Sequence, residues 1–193
     1  MTELEWTAWA FVGLLAVVIT VWVVWAAASR LDRLHRRVLA SRATLDAQLV
    51  RRATAAWDLA AAGVLDPVSS VLVAEAAREA LTHSNEGIAP AAPDDVTGEL
   101  DQAMAESELS RVLRAALGGP EDRAQLESIE GAPELLEHLD QAWYRAQLAR
   151  RFHNDAVVQV RRIRAKGYVR LFRLAGRAPV PATFEMDDAT TTV

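Results

Sequence analysis

The sequence predicts an all-α protein, an N-terminal transmembrane helix that continues into an elongated antiparallel helical bundle. Three observations lead there. No charged residue lies between Glu5 and Arg30. Downstream of that run, apolar and small residues recur at steps of three and four, the period of one helix face. Outside the first 25 positions the chain is rich in alanine and poor in β-branched and aromatic residues, so helix is the default over strand.

The charge-free run comes first. As a helix it reaches roughly 36 Å, enough to cross a hydrocarbon core of about 30 Å with some tilt. Trp6 and Trp9 mark one rim and Trp22 and Trp25 the other, where an indole satisfies its apolar ring and its N–H donor together. Glu3 and Glu5 precede the run, and Arg30, Arg33, Arg36, Arg37 and Arg42 follow it. Basic flanks resist translocation and are attracted by anionic lipid, which predicts the N-terminus outside and everything after residue 30 on the cytoplasmic side. Ala26-Ala27-Ala28 would suit a signal-peptide cleavage site, but the basic n-region is missing and the apolar run exceeds the usual ~7–15 residues. The expected layout is a short external N-terminus (1–5), a span (6–29), a cytoplasmic bundle (30–178) and a flexible tail (179–193).

From Leu31 the stripe continues through Leu34, Val38, Leu45, Leu49, Ala53, Ala56 and Ala60, with no proline or glycine until Gly63. Span and first cytoplasmic helix are therefore expected to be continuous. Gly63 suits a C-cap, and Asp66 followed by Pro67 suits the N-cap and first residue of a second helix. That helix is expected to turn Val68, Val71, Leu72, Ala76 and Leu81 inward and to fade at Ser84-Asn85-Glu86-Gly87; Pro90 and Pro93 mark a linker. Asp94 or Asp95 caps a third helix, to about Leu117, with Val96, Leu100, Ala103, Met104, Leu109, Val112 and Leu113 inward. Gly118-Gly119-Pro120 stops it and starts a short segment with Glu121 and Asp122 in its first turn. After Gly131, Pro133 opens the longest helix of the domain, with Leu135, Leu139, Ala142, Ala146, Ala149, Phe152, Ala156, Val160 and Ile163 on one stripe. Two long helices with shorter ones between them suggest an antiparallel bundle.

Charge is segregated along the chain. Seven arginines stand against two aspartates over residues 30–57, four arginines against eighteen acids over 58–140, and ten basic residues against Asp155 alone over 141–178. In an antiparallel bundle both basic segments return to the bilayer and the acidic middle faces the cytoplasm. At the returning end Lys166, Arg170, Arg173 and Arg177 share one helical face, with Tyr168, Leu171, Phe172 and Ala175 on the other. Two readings stand side by side: the segment lies in the headgroup region of anionic lipid, or Leu171 and Phe172 cap the core beneath solvated arginines. The acidity of the surrounding domain disfavours nucleic acid as a partner.

The run Ala149-Arg150-Arg151-Phe152-His153-Asn154-Asp155-Ala156-Val157 resembles the signature of the bacterial LemA family, Ala-Arg-x-aromatic-Tyr-Asn-Asp-Ala-Val on the last long helix. Pro181-Ala182-Thr183-Phe184-Glu185 is similar to the family's ending. Arg33-Leu34-His35-Arg36-Arg37-Val38 and Asp46-Ala47-Gln48-Leu49-Val50-Arg51-Arg52 resemble two phrases of its N-terminal half, in the same order and spacing. His153 replaces the usual Tyr, a second Tyr-Asn is missing near Val160-Arg161, and Trp57-Asp58-Leu59 replaces Pro-Asn-Leu, which resembles a divergent, actinobacterial branch. The resemblance implies a membrane-anchored antiparallel helical domain of the bacterial inner membrane, N-out and C-in, with no established catalysis and no catalytic residues to carry over; the leading expectation for such a bundle is a scaffold or adaptor that presents an acidic cytoplasmic surface. The alternative it leaves is an accessory subunit of a larger membrane complex, and homo-oligomers fit either reading.

No motif in the chain names a reaction, and no cofactor is expected. There is no His-Glu-x-x-His, phosphate-cradling Gly loop or Gly-x-Ser-x-Gly, and zero cysteines exclude disulfides and thiolate metal sites. Glu79 with His83 and Glu134 with His138 are i, i+4 pairs, whereas carboxylate-bridged di-metal bundles use Glu-x-x-His with further inward glutamates. Asn154 is expected to hydrogen-bond a neighbouring helix and Asp155 to pair with Arg151; Trp57 and Trp143 are expected to pack.

Overall fold

A computed structural model describes residues 3–86, 96–172 and 180–188. These residues form six helices and no strand: α1 (Glu3–Ala61), α2 (Pro67–Glu86), α3 (Val96–Leu117), α4 (Pro120–Glu127), α5 (Ala132–Arg164) and α6 (Gly167–Leu171). The all-α expectation holds, and α1 is one helix of 59 residues, as the unbroken stripe past Arg30 predicts. Among the described residues it is the one helix long and apolar enough to cross a membrane. The linker prolines Pro90 and Pro93, the caps Asp94 and Asp95, the side chain of Val96, and Arg173, Ala175 and Arg177 lie outside the described residues.

The punctuation works through local backbone chemistry. Gly63 has φ 72°, the left-handed region where a side chain would clash. Asp66 Oδ1 accepts the backbone N–H groups of Val68 (3.0 Å) and Ser69 (3.1 Å), capping α2. Hydrogen bonds from Ser69 and Val68 hold the Asp66 carboxyl below its usual range. At the end of α3, Gly118 has φ 60°, and a Cβ there would stand 2.1 Å from Asp122 Oδ2. That carboxylate is occupied in accepting the Gly119 N–H at 3.1 Å. Gly131, at φ 80°, separates α4 from α5.

The chain folds as two compact units, Met1–Leu39 with Ala156–Pro181, and Ala40–Asp155 with Ala182–Val193. In the first, Leu34 and Val38 of α1 pack on Ala156, Val157 and Val160 of α5. Arg164 Nη1 stands 3.4 Å from His35 Nε2, so the two helices run antiparallel within this unit and the basic end of α5 returns beside the root of the span. Leu31 and Val169 are buried at this end. The span itself is uncovered, with Trp6, Trp9, Trp22 and Trp25 all exposed.

The second unit holds the main core. Ala53, Ala56 and Leu59 of α1, Val73, Ala77 and Ala80 of α2, Leu109 and Leu113 of α3, and Leu136, Leu139 and Trp143 of α5 meet in one cluster. A second cluster joins Leu45, Leu49, Ala103, Ala146 and Ala149 to Phe184 and Met186.

Several inward assignments need correction. On α2 the alanine face is buried, with Val73, Ala76, Ala77 and Ala80 inside, and Val68, Val71 and Leu72 point outward. Leu100 and Met104 of α3 and Phe152 of α5 are likewise exposed. Helices lined by small residues pack closely, so alanine competes with larger residues for the buried face, and a three- or four-residue step fits either of two neighbouring positions. Of the segment expected to be a flexible tail, residues 180–188 instead lie as an extended strap with Phe184 and Met186 buried.

Candidate functional site: a buried polar seam closed by the C-terminal strap

The phrase Asp46…Arg52 sits on the inward face of α1, and its polar residues form a seam through the second unit. Arg42, one turn upstream, pairs with Asp46 (Nε to Oδ1, 3.2 Å) and donates through Nη2 to Gln102 Oε1 at 2.5 Å. Gln102 Nε2 stands 3.4 Å from Asp46 Oδ1. Burial raises the Asp46 carboxyl above its usual range, against the opposing pull of Arg42.

Two turns deeper, Arg52 and Glu106 are both completely buried. Arg52 Nη2 donates to Glu106 Oε2 at 2.5 Å and to the Glu106 carbonyl at 2.8 Å, and Nη1 donates to Ser110 Oγ at 2.9 Å. The guanidinium lies 5.3 Å from the centre of the Trp143 ring, a cation–π contact. Desolvation pushes the Glu106 carboxyl up, with the Arg52 charge opposing it. Glu106 Oε1, Arg52 Nε and Gln48 Oε1 are buried without a hydrogen-bond partner. Such an arrangement fixes the register of α1 against α3, because any slip separates buried opposite charges.

The strap closes the seam. Asn154 holds it with two hydrogen bonds, accepting the Phe184 N–H at 2.9 Å and donating to the Phe184 carbonyl at 3.1 Å. The Phe184 ring lies under the Arg42 guanidinium, 4.8 Å from its carbon. Further along, Arg150 pairs with Asp188 at 2.8 Å, Arg114 pairs with Asp187, and the Asp188 carbonyl accepts from Gln147 (2.5 Å) and Trp143 (3.3 Å). His153 is buried beside it, its Nδ1 3.2 Å from Ser41 Oγ, and a ring N–H donates to the Ala182 backbone. Burial, reinforced by the nearby Arg42 charge, lowers its pKa to about 4, so the ring is neutral near pH 7.

The two segments that carry the C-terminal resemblance, 149–157 and 181–185, thus meet side by side. Of the signature residues, Ala156 and Val157 are buried, Asn154 binds the strap rather than a neighbouring helix, and Arg151, Phe152 and Asp155 point to solvent. The expected Arg151–Asp155 pair is not formed among the described residues. At the expected membrane interface Arg30, Arg33, Arg170, Phe172 and the four tryptophans are exposed, and Arg173 and Arg177 lie outside the described residues. Leu171 and Phe172 do not cap the core; Val169 is the buried residue of α6. Trp143 packs as expected, whereas Trp57 is partly exposed. Neither Glu79–His83 nor Glu134–His138 belongs to a group of three or more ligand-type side chains among the described residues.

Sequence reasoning missed Glu106, which it counted with the acidic surface, and the anchoring of the strap. The available signals were an acid flanked by helix-stripe residues Ala103 and Leu109, and an aromatic inside a polar ending. Compared with known proteins, the chain matches no family model, no curated protein and no solved structure.

Proposed function

We propose that this chain is a single-pass protein of the bacterial inner membrane, N-terminus out, whose cytoplasmic helical domain serves as a non-catalytic scaffold or adaptor of the LemA type. The observation that carries the reading is the continuity of α1, which runs without a break from the charge-free segment into residues of the domain core, Leu45 to Ala60. A span continuous in sequence and helix with a core segment ties the domain to the bilayer.

Two further observations support it. Most polar groups of the seam bond to one another or to the strap, as in a domain built for a fixed shape. Tyr168, Leu171 and Phe172 are exposed in the same compact unit as the span, beside Arg170, which suits contact with anionic lipid. Reporter fusions at the two termini test the reading: a C-terminal fusion active only in the cytoplasm, on protein that resists extraction by alkaline carbonate, is expected. A C-terminus exported from the cytoplasm, or release of the chain by carbonate, overturns it.

A further inference from the structure

The outer faces of α2 and α3 carry more apolar surface than a solvated helix pair needs. Leu72, Leu100 and Met104 are all more than half exposed, at 54%, 57% and 62%. Beside them run two shallow grooves, of about 240 and 370 Å3, one between α2 and α3 and one between α3 and the strap. These volumes sit at the lower edge of the ~300–1,000 Å3 of ligand cavities, a size that suits inserted side chains. The first is floored by Leu72, Ala76, Val112 and Ala116; the second is lined by Leu100 and Met104.

Charge marks the rims. Glu75, Glu79, Glu108, Glu185 and Asp187 line the two grooves against Arg111 as the one basic residue lining either. Glu108 and Arg111 border both, so the grooves form one continuous surface across α3. Four of these carboxylates already hold ion pairs, Glu75 with Arg78, Glu108 with Arg111, Asp187 with Arg114 and Glu185 with Arg150, and pairs open to solvent contribute little and yield readily to a new cation.

We propose that this surface docks a basic amphipathic helix of a partner protein. Exposed apolar anchors at helical spacing inside a carboxylate rim match a helix with leucine-type residues at i, i+3, i+4 and i+7 and Lys or Arg on its flanks. Met104 adapts to such anchors because its thioether chain is flexible and polarizable. From Met104 to Ala115 the surface covers about 17 Å, three turns of a docked helix. An acidic helix is repelled by the rim carboxylates, and a neutral apolar one makes no ion pair with them.

The inference deepens the adaptor reading and rests on it, but its test is separate. The full chain in zwitterionic nanodiscs is titrated with a labelled Leu/Lys amphipathic peptide of about five turns, with empty nanodiscs as the blank. Saturable one-to-one binding is expected, weakened about tenfold or more by Leu72→Glu, by Met104→Glu and by the pair Glu79→Gln and Glu108→Gln, with no binding of a Leu/Glu peptide bearing the same apolar stripe. The variants sit on exposed positions, and unchanged far-ultraviolet circular dichroism verifies their fold. Equal binding of a scrambled Leu/Lys peptide, or binding indifferent to all of these substitutions, overturns the proposal. Self-association of the wild-type chain that the same substitutions abolish overturns it too, assigning the face to a second copy. Failure here with the terminal fusions behaving as expected removes the groove and leaves the adaptor reading standing.

Discussion

Arg52 and Glu106 show what one residue pair imposes on a bundle. Their charges are fully buried and 2.5 Å apart, so each makes the other tolerable. Arg52→Met is expected to cost about 3–5 kcal/mol, the usual range for orphaning a buried partner, whereas Arg52→Met with Glu106→Leu recovers most of it. Thermal unfolding of the four proteins of this cycle checks both outcomes. His153 supplies a pH dependence. Its pKa is about 4 in the folded chain against 6.5 when free, so the unfolded chain binds the proton first. The stability gained from a neutral His153 is therefore complete above pH ~6.5 and is lost as pH falls through ~4, by about 3 kcal/mol in all. His153→Gln is expected to flatten that decline, measured as midpoint temperature against pH. Little of this was legible beforehand. Arg52 stood out only as part of a family-like phrase, and Glu106 resembled any acid of the acidic middle, because burial of a charge depends on a partner 54 positions away.

At the scale of elements, helix ends were readable and helix faces only in part. Gly63, Gly118, Gly131, Asp66 and Pro67 act on their own backbone neighbourhood, and the breaks fall where they stand. Gly118→Ala is expected to lower the unfolding temperature, since it puts a Cβ into the left-handed region and against the Asp122 carboxylate. Faces are set from outside the helix. On α5, a step of three from Ala149 selects Phe152 and a step of four selects His153; Ser41 and the strap reward the histidine, and the phenylalanine turns out. The strap is the element that periodicity could not find, because an extended segment takes its hydrogen bonds from other elements. Asn154→Ala removes both bonds to Phe184. Faster amide exchange over residues 182–188, with helix content unchanged, is the expected result. Phe184→Ala is expected to cost about 3–5 kcal/mol in chemical denaturation, as for a large buried aromatic truncated to a methyl.

On the scale of the whole molecule, the charge-free run and the order basic, acidic, basic organise the chain. The exposed Tyr168, Leu171 and Phe172 sit in one compact unit with the span, and the acids of α2 and α3 belong to the other. If residues 166–172 contact lipid, their amides exchange more slowly in anionic than in zwitterionic nanodiscs, and Leu171→Asp with Arg170→Gln abolishes the difference. Equal exchange in both lipids for the wild-type chain would reject the contact.

The sequence by itself determined the all-α class, the single apolar helix, its continuity into the domain and the helix ends, because each depends on residues within a turn or two of one another. Only the tertiary structure decided which alanine faces close the core, that Arg52 and Glu106 lie inside it, that Leu72, Leu100 and Met104 lie outside, and that Phe184 anchors a strap. Those outcomes depend on which distant surfaces meet, and a periodicity of three and four is equally satisfied by a residue turned toward a neighbour and by the residue beside it turned away.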